Sequence, residues 1–67
     1  MIDGAKYCVF ADTNPCPILH YYRTREMAER MYGILCAEHP GADVDITELD
    51  DDGRLTRWVR RNDEVTA

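Results

Sequence analysis

"PCPILHYY", residues 15–22, decides how the rest of this chain is read. As a strand it is apolar or amphipathic on both faces, with Ile18, His20 and Tyr22 on one side and Leu19 and Tyr21 on the other. As half of a metal site it supplies Cys16 and His20, and Cys36 and His39 would complete a set of two thiols and two imidazoles. Pro17 can open a strand but cannot sit inside one, which places the strand from Ile18 to about Tyr22.

On the upstream side, "AKYCVFA" (5–11) is rich in aromatic and β-branched types and reads as a first strand. "DTNPCP" (12–17) between them is turn chemistry. Downstream, Thr24 is placed to cap a helix, since its hydroxyl can accept a free backbone N–H of the first turn. Glu26 and Glu29 set negative charge near the positive end of that helix. Ala28, Met31, Tyr32 and Leu35 recur at spacings of three and four and form one apolar stripe, flanked by Met27 and Ile34. "HPG" (39–41) stops the helix near Glu38 or His39, with Gly41 available for a left-handed turn.

"DVDITEL" (43–49) alternates Val44 and Ile46 against Asp43, Asp45 and Thr47, the pattern of a half-buried strand. "DDDGR" (50–54) signals a hairpin with Asp52–Gly53 at its tip, and "RLTRWVR" (54–60) returns as a fourth strand. The tail "NDEVTA" (62–67) reads as frayed. The order ββαββ predicts an α+β two-layer domain over 1–67: a four-stranded antiparallel sheet with one helix packed on one face.

Size and charge narrow the function classes. Sixty-seven residues make one domain, and a domain near this size is thinly stabilised, so disulfides, a metal or oligomerisation often assist it. Thirteen acids against eight bases give a net charge of -5, which disfavours non-specific nucleic-acid binding. Acids crowd residues 38–52, and Arg54, Arg57, Arg60 and Arg61 follow at once. No apolar run approaches the roughly 18 residues of a membrane span, and the N-terminus lacks a signal-peptide pattern. An odd count of three cysteines fits reduced thiols, so cytoplasmic residence is the expectation.

The faces of the sheet do not balance. With Tyr7, Val9 and Ala11 turned toward the helix, Lys6, Cys8 and Phe10 point away. Turning Leu55 and Val59 inward sends Trp58 out between Thr56 and Arg60. The side meant for water then carries Cys8, Phe10, Leu19 or its neighbour, a tyrosine and Trp58. A contiguous patch of that kind marks an interaction site. Three or four such side chains together represent on the order of 5–10 kcal/mol of burial. A slip of one residue at a bulge would reverse the assignment.

Other chemistry is weaker. Cys16-x3-His20 and Cys36-x2-His39 mix residue types, whereas zinc fingers pair Cys with Cys and His with His. On an extended strand Cys16 and His20 stand about 13 Å apart. The plainer reading makes Cys16 a turn residue, Cys36 a small hydrophobe on the helix flank, His20 a strand residue and His39 a helix cap. No nucleophile motif or Gly-rich phosphate loop is present, so neither enzymatic activity nor a cofactor is expected. "ELDDD" (48–52) lacks the twelve-residue ligand spacing of a calcium loop and reads as a solvated turn or an electrostatic rim. "RLTRWVRR" (54–61) could clamp single-stranded nucleic acid, or Arg54 and Arg57 could pair with Glu48 and Asp50 across the hairpin.

The expectation is a non-enzymatic protein-binding module, an inhibitor or adaptor, self-associating as a homodimer. Its contact surface is Phe10, Tyr21 and Trp58 with Cys8 and Leu49, rimmed by Asp50, Asp51 and Asp52. A small zinc- or single-stranded-nucleic-acid-binding regulator is the alternative. In size, charge and lack of catalytic signals the chain is similar to small accessory proteins of phages and mobile elements that cover a host protein's surface; the likeness transfers no residues.

Overall fold

A computed structural model describes residues 4–62. Four strands and one helix follow in the order β1 (Tyr7–Ala11), β2 (Ile18–Tyr22), α1 (Arg25–Glu38), β3 (Val44–Leu49) and β4 (Leu55–Arg61). All neighbouring strands are antiparallel, in the sheet order β2-β1-β3-β4. This is the expected ββαββ α+β fold. The two hairpins lie side by side, and α1 carries the chain from one to the other.

The helix forms where its caps and stripe place it. Thr24 is extended, and its hydroxyl accepts from the Met27 backbone N–H at 3.3 Å. At the other end His39 is the C-cap, its backbone N–H bonding the Leu35 carbonyl at 2.9 Å. Ala28, Tyr32 and Leu35 turn inward and meet Val9 and Ala11 of β1 and Val44 and Ile46 of β3. Tyr7, Ile18, Tyr22, Met31, Cys36 and Val59 close the margin of this core. The central strands therefore carry the fully buried branched side chains, while edge strands β2 and β4 contribute partly covered ones.

Gly41 is not left-handed: among the described residues positive φ occurs only at Gly4 and Gly53. The backbone behind the helix is closed instead by the Ala42 N–H on the His39 carbonyl. Gly53, at φ 83°, is the hairpin tip the Asp-Gly pair signals. One Asp50 carboxylate oxygen accepts from the backbone N–H groups of both Asp52 and Arg54, each at 2.9 Å, which shapes the turn. Asn62, grouped above with the tail, is tied to the sheet. Its side chain accepts from Val44 N–H and donates to the Ala42 carbonyl. Residues 63–67 lie outside the described residues.

β4 differs from its expected facing. Ile46 pairs with Arg60 but Thr47 with Trp58, and Glu48 pairs with Arg57 but Leu49 with Leu55. Val59 and Thr56 are thus extra residues, and each bulge resets which face the next side chain takes. Leu55, assigned inward above, stands opposite Leu49 on the side away from the helix. Arg60, assigned outward, crosses to the helix side and lies over the Tyr32 ring.

Candidate interaction face

Residues paired across an antiparallel ladder share a face of the sheet. Tyr21, Cys8, Thr47 and Trp58 therefore form one row across all four strands, on the side opposite α1. Leu19, Phe10, Asp45 and Arg61 form the next row, and Leu49 beside Leu55 starts a third. Phe10, Tyr21 and Trp58, picked from sequence as contacts, lie on this one face, Tyr21 and Trp58 on its opposite edge strands with Cys8 and Thr47 between them.

The face is layered. Ala5, Cys8 and Leu49 make a small second cluster against which Tyr21 packs. Cys8 and Leu49 are each only 4% exposed, so they are the floor of the face and not contacts, which corrects the surface role expected of them. Burial pushes the Cys8 thiol above its ordinary pKa, because a thiolate there would be poorly solvated. The Thr47 hydroxyl donates weakly to the Cys8 carbonyl at 3.5 Å, giving this buried hydroxyl a partner between the strands.

Above the floor stand Leu19, Leu55 and Trp58, which are 49%, 65% and 58% exposed. Leu55 escaped the sequence reading because its outward facing depends on the bulge at Thr56. With Thr47, Thr56 and Arg57, Leu55 and Trp58 line a shallow concavity of about 270 Å³ along β4. Arg61 holds its guanidinium 4.2 Å from the centre of the Trp58 ring. One ring face is thus already stacked by an arginine of the same strand, and a nucleic-acid base would have to displace it or use the other.

Between about a third and a half of each of these residues is already covered. Completing their burial is favourable by roughly 1 kcal/mol apiece, less than the full-burial figure above.

The acidic turn sits at one end of the face. Asp51 accepts from the Lys6 ammonium at 3.0 Å, and both groups are exposed. That contact holds the Asp51 carboxyl below its ordinary pKa and the Lys6 ammonium above its own. Asp50 is occupied by the turn backbone. Asp52 is exposed. The expected cross-hairpin pairing is made by Arg57, whose Nε donates to Glu48 Oε1 at 2.8 Å. Asp50 takes the Arg54 backbone and not its side chain.

The thiols and imidazoles go elsewhere. Cys16 is exposed in the first turn, Cys36 packs on the core margin, His20 lies on β2 with its ring 6.2 Å from that of Tyr22, and His39 caps α1. Among the described residues no three His, Cys, Asp or Glu side chains gather closely enough to hold a metal ion. His39 lines a polar hollow with Asp12, Thr13 and Asn14 that contains no cysteine. No helix among the described residues is long and apolar enough to cross a membrane.

Comparison with protein-family models, with curated proteins and with solved structures finds no match to this chain.

Proposed function

We propose that this chain is a non-enzymatic protein-binding module that uses the sheet face opposite α1 to cover part of another polypeptide, as an inhibitor or adaptor does. One observation carries the reading. Leu19, Leu55 and Trp58 stand about half exposed or more on a face that also holds Phe10 and Tyr21, with Asp51 and Asp52 at its end. Aromatic anchors in an apolar patch with a charged rim are the usual anatomy of a protein interface. Asp52 adds charge that steers a basic partner surface. In size and acidity the chain is similar to accessory proteins of phages and mobile elements, and free thiols suit work in the cytoplasm.

The test is a tagged chain expressed in its host and cross-linked in the cell. It is compared with a Leu19→Ala, Leu55→Ala, Trp58→Ala variant whose circular dichroism shows the same fold. A stoichiometric partner is expected on the parent chain and lost from the variant. A parent chain recovered alone, monomeric and without affinity for an apolar dye would overturn the proposal.

A further inference from the structure

The two edges of the sheet are built differently. β4 pairs with β3 through two register shifts and carries Arg57, Arg60 and Arg61. Bulges and charged side chains are the devices by which proteins blunt an edge against a further strand. β2 has neither. Its five residues, ILHYY, pair with β1 in unbroken register and include no acid, lysine, arginine or proline. Apolar or aromatic groups on both faces give it the composition of a strand enclosed on all sides. Leu19 and His20 are nonetheless exposed, and among the described residues no strand lies outside β2.

The edge also holds a recess. Tyr21, Tyr22, Arg23, Thr24 and Met27 line a shallow hollow of about 350 Å³. Tyr21 and Tyr22 point to opposite faces, so the hollow opens on the outer edge of β2 where the strand ends. What fits there is a second β2 running the other way. Turned about a two-fold axis at His20, the second strand keeps both faces in match. Leu19 meets Tyr21 of the second copy, Ile18 meets Tyr22, and His20 meets His20. Pro17 and Ile18 of the second copy arrive at the hollow and bring it uncharged, extended chain.

Charge selects the antiparallel sense. Arg23 follows directly on the Tyr22 end of β2. Past the Ile18 end stand Asp12 and Asp43, both exposed, with the Asp12 N–H donating to the Asp43 carbonyl at 2.9 Å. Pairing about His20 sets Arg23 of each copy two strand spacings, about 10 Å, from the Asp12 backbone of the other. Two long polar side chains span that distance, and the contact is made twice by symmetry. α1 leaves the edge clear, because its buried residues rest on Val9, Ala11, Val44 and Ile46 of the two central strands.

We infer that two copies of this chain pair β2 against β2, antiparallel about an axis at His20, joining two four-stranded sheets into one of eight with both helices on the same side. Phe10, Leu19 and Tyr21 of the two copies then meet in the middle of one continuous open face. The pairing goes beyond the reading of that face as a binding surface and does not depend on it.

Sedimentation equilibrium from 1 μM to 1 mM reads the association. One short strand from each copy is a small contact, so a dissociation constant of about 1–100 μM is expected. His20→Lys and His20→Glu each set like charges against one another on the axis and should weaken self-association about tenfold. An equimolar mixture of the two variants should restore it as a heterodimer. His20 is exposed, so circular dichroism of both variants should match the parent. In a Cys16→Ser, Cys36→Ser background, His20→Cys should give a disulfide-linked dimer under mild oxidation, and Trp58→Cys, on the other edge strand, should not. A parent chain monomeric at 1 mM overturns the inference. So does a dimer indifferent to charge at His20, or one that cross-links through Trp58→Cys as readily as through His20→Cys. A dimer whose open face captures no other protein upholds this inference alone. A monomer that captures one overturns it alone.

Discussion

Arg60 Nη1 donates to Glu29 Oε1 at 2.6 Å, so a side chain from the edge strand clasps the helix across the end of the core. The same guanidinium lies 4.7 Å from the centre of the Tyr32 ring, and Glu29 also accepts from Arg25 one turn earlier. β4 has few buried side chains, and this clasp ties it to the layer beneath.

The Arg60 contact, followed by that of Arg25, holds the Glu29 carboxyl below its ordinary pKa. A carboxyl whose folded-state pKa is depressed stabilises the fold fully above the unfolded value, about 4.3, and loses that contribution as pH falls through the folded value. Both partners are partly exposed, so the pairwise term is small. A double-mutant cycle of Glu29→Gln and Arg60→Met should return a coupling of about 0.5–1 kcal/mol. Urea midpoints measured from pH 6 to pH 3 should fall less steeply for Glu29→Gln than for the parent chain. Parallel curves would mean the clasp is not formed in solution.

Ile46 is fully buried between the helix and both neighbouring strands. Ile46→Ala should cost about 2–5 kcal/mol and Ile46→Val about 0.5–1.5. A domain of this length has roughly 3–10 kcal/mol in hand, so the alanine variant should be largely unfolded by moderate urea. Equilibrium denaturation followed by circular dichroism measures both; an alanine variant within 1 kcal/mol of the parent contradicts this placement.

Trp58 should behave in the opposite way. It is more than half exposed, so Trp58→Ala and Leu55→Ala should each change monomer stability by under about 1 kcal/mol while removing apolar dye binding. Large destabilisation of a monomer by either change would place these residues inside the protein.

Thiol labelling separates the three cysteines. Cys16 is exposed, Cys36 half-buried and Cys8 buried with its pKa raised. Cys8 should react only when the sheet opens, at least about 100-fold more slowly than Cys16, and the three should converge in urea. Mass spectrometry of timed alkylation gives the order directly.

At the second hairpin, Gly53→Ala places a side chain at φ 83° and should cost about 1–2 kcal/mol. Asp50→Ala removes the acceptor for two backbone N–H groups in an exposed turn and should cost about 1 kcal/mol. Thermal melts of the two variants suffice, and an unchanged Gly53→Ala melt would count against a left-handed tip.

Most of this architecture is local in origin, which is why it can be read from the chain. A threonine before an apolar stripe, a proline and glycine after it, strict alternation through Val44 and Ile46, and an Asp-Gly pair each act within a few residues. They name four strands and a helix in order, and with them the side of β1 that meets α1. The facing of β4 follows a different logic. Val59 and Thr56 are extra only relative to β3, a strand apart in sequence, so nothing within "RLTRWVRR" announces them. That pairing turns Leu55 out beside Leu49 and brings Arg60 under to Glu29, while Cys8 is covered by a separate cluster with Ala5, Leu49 and Tyr21. Facing along a strand is a property of a pair of strands, and it comes into being only when the two are laid together.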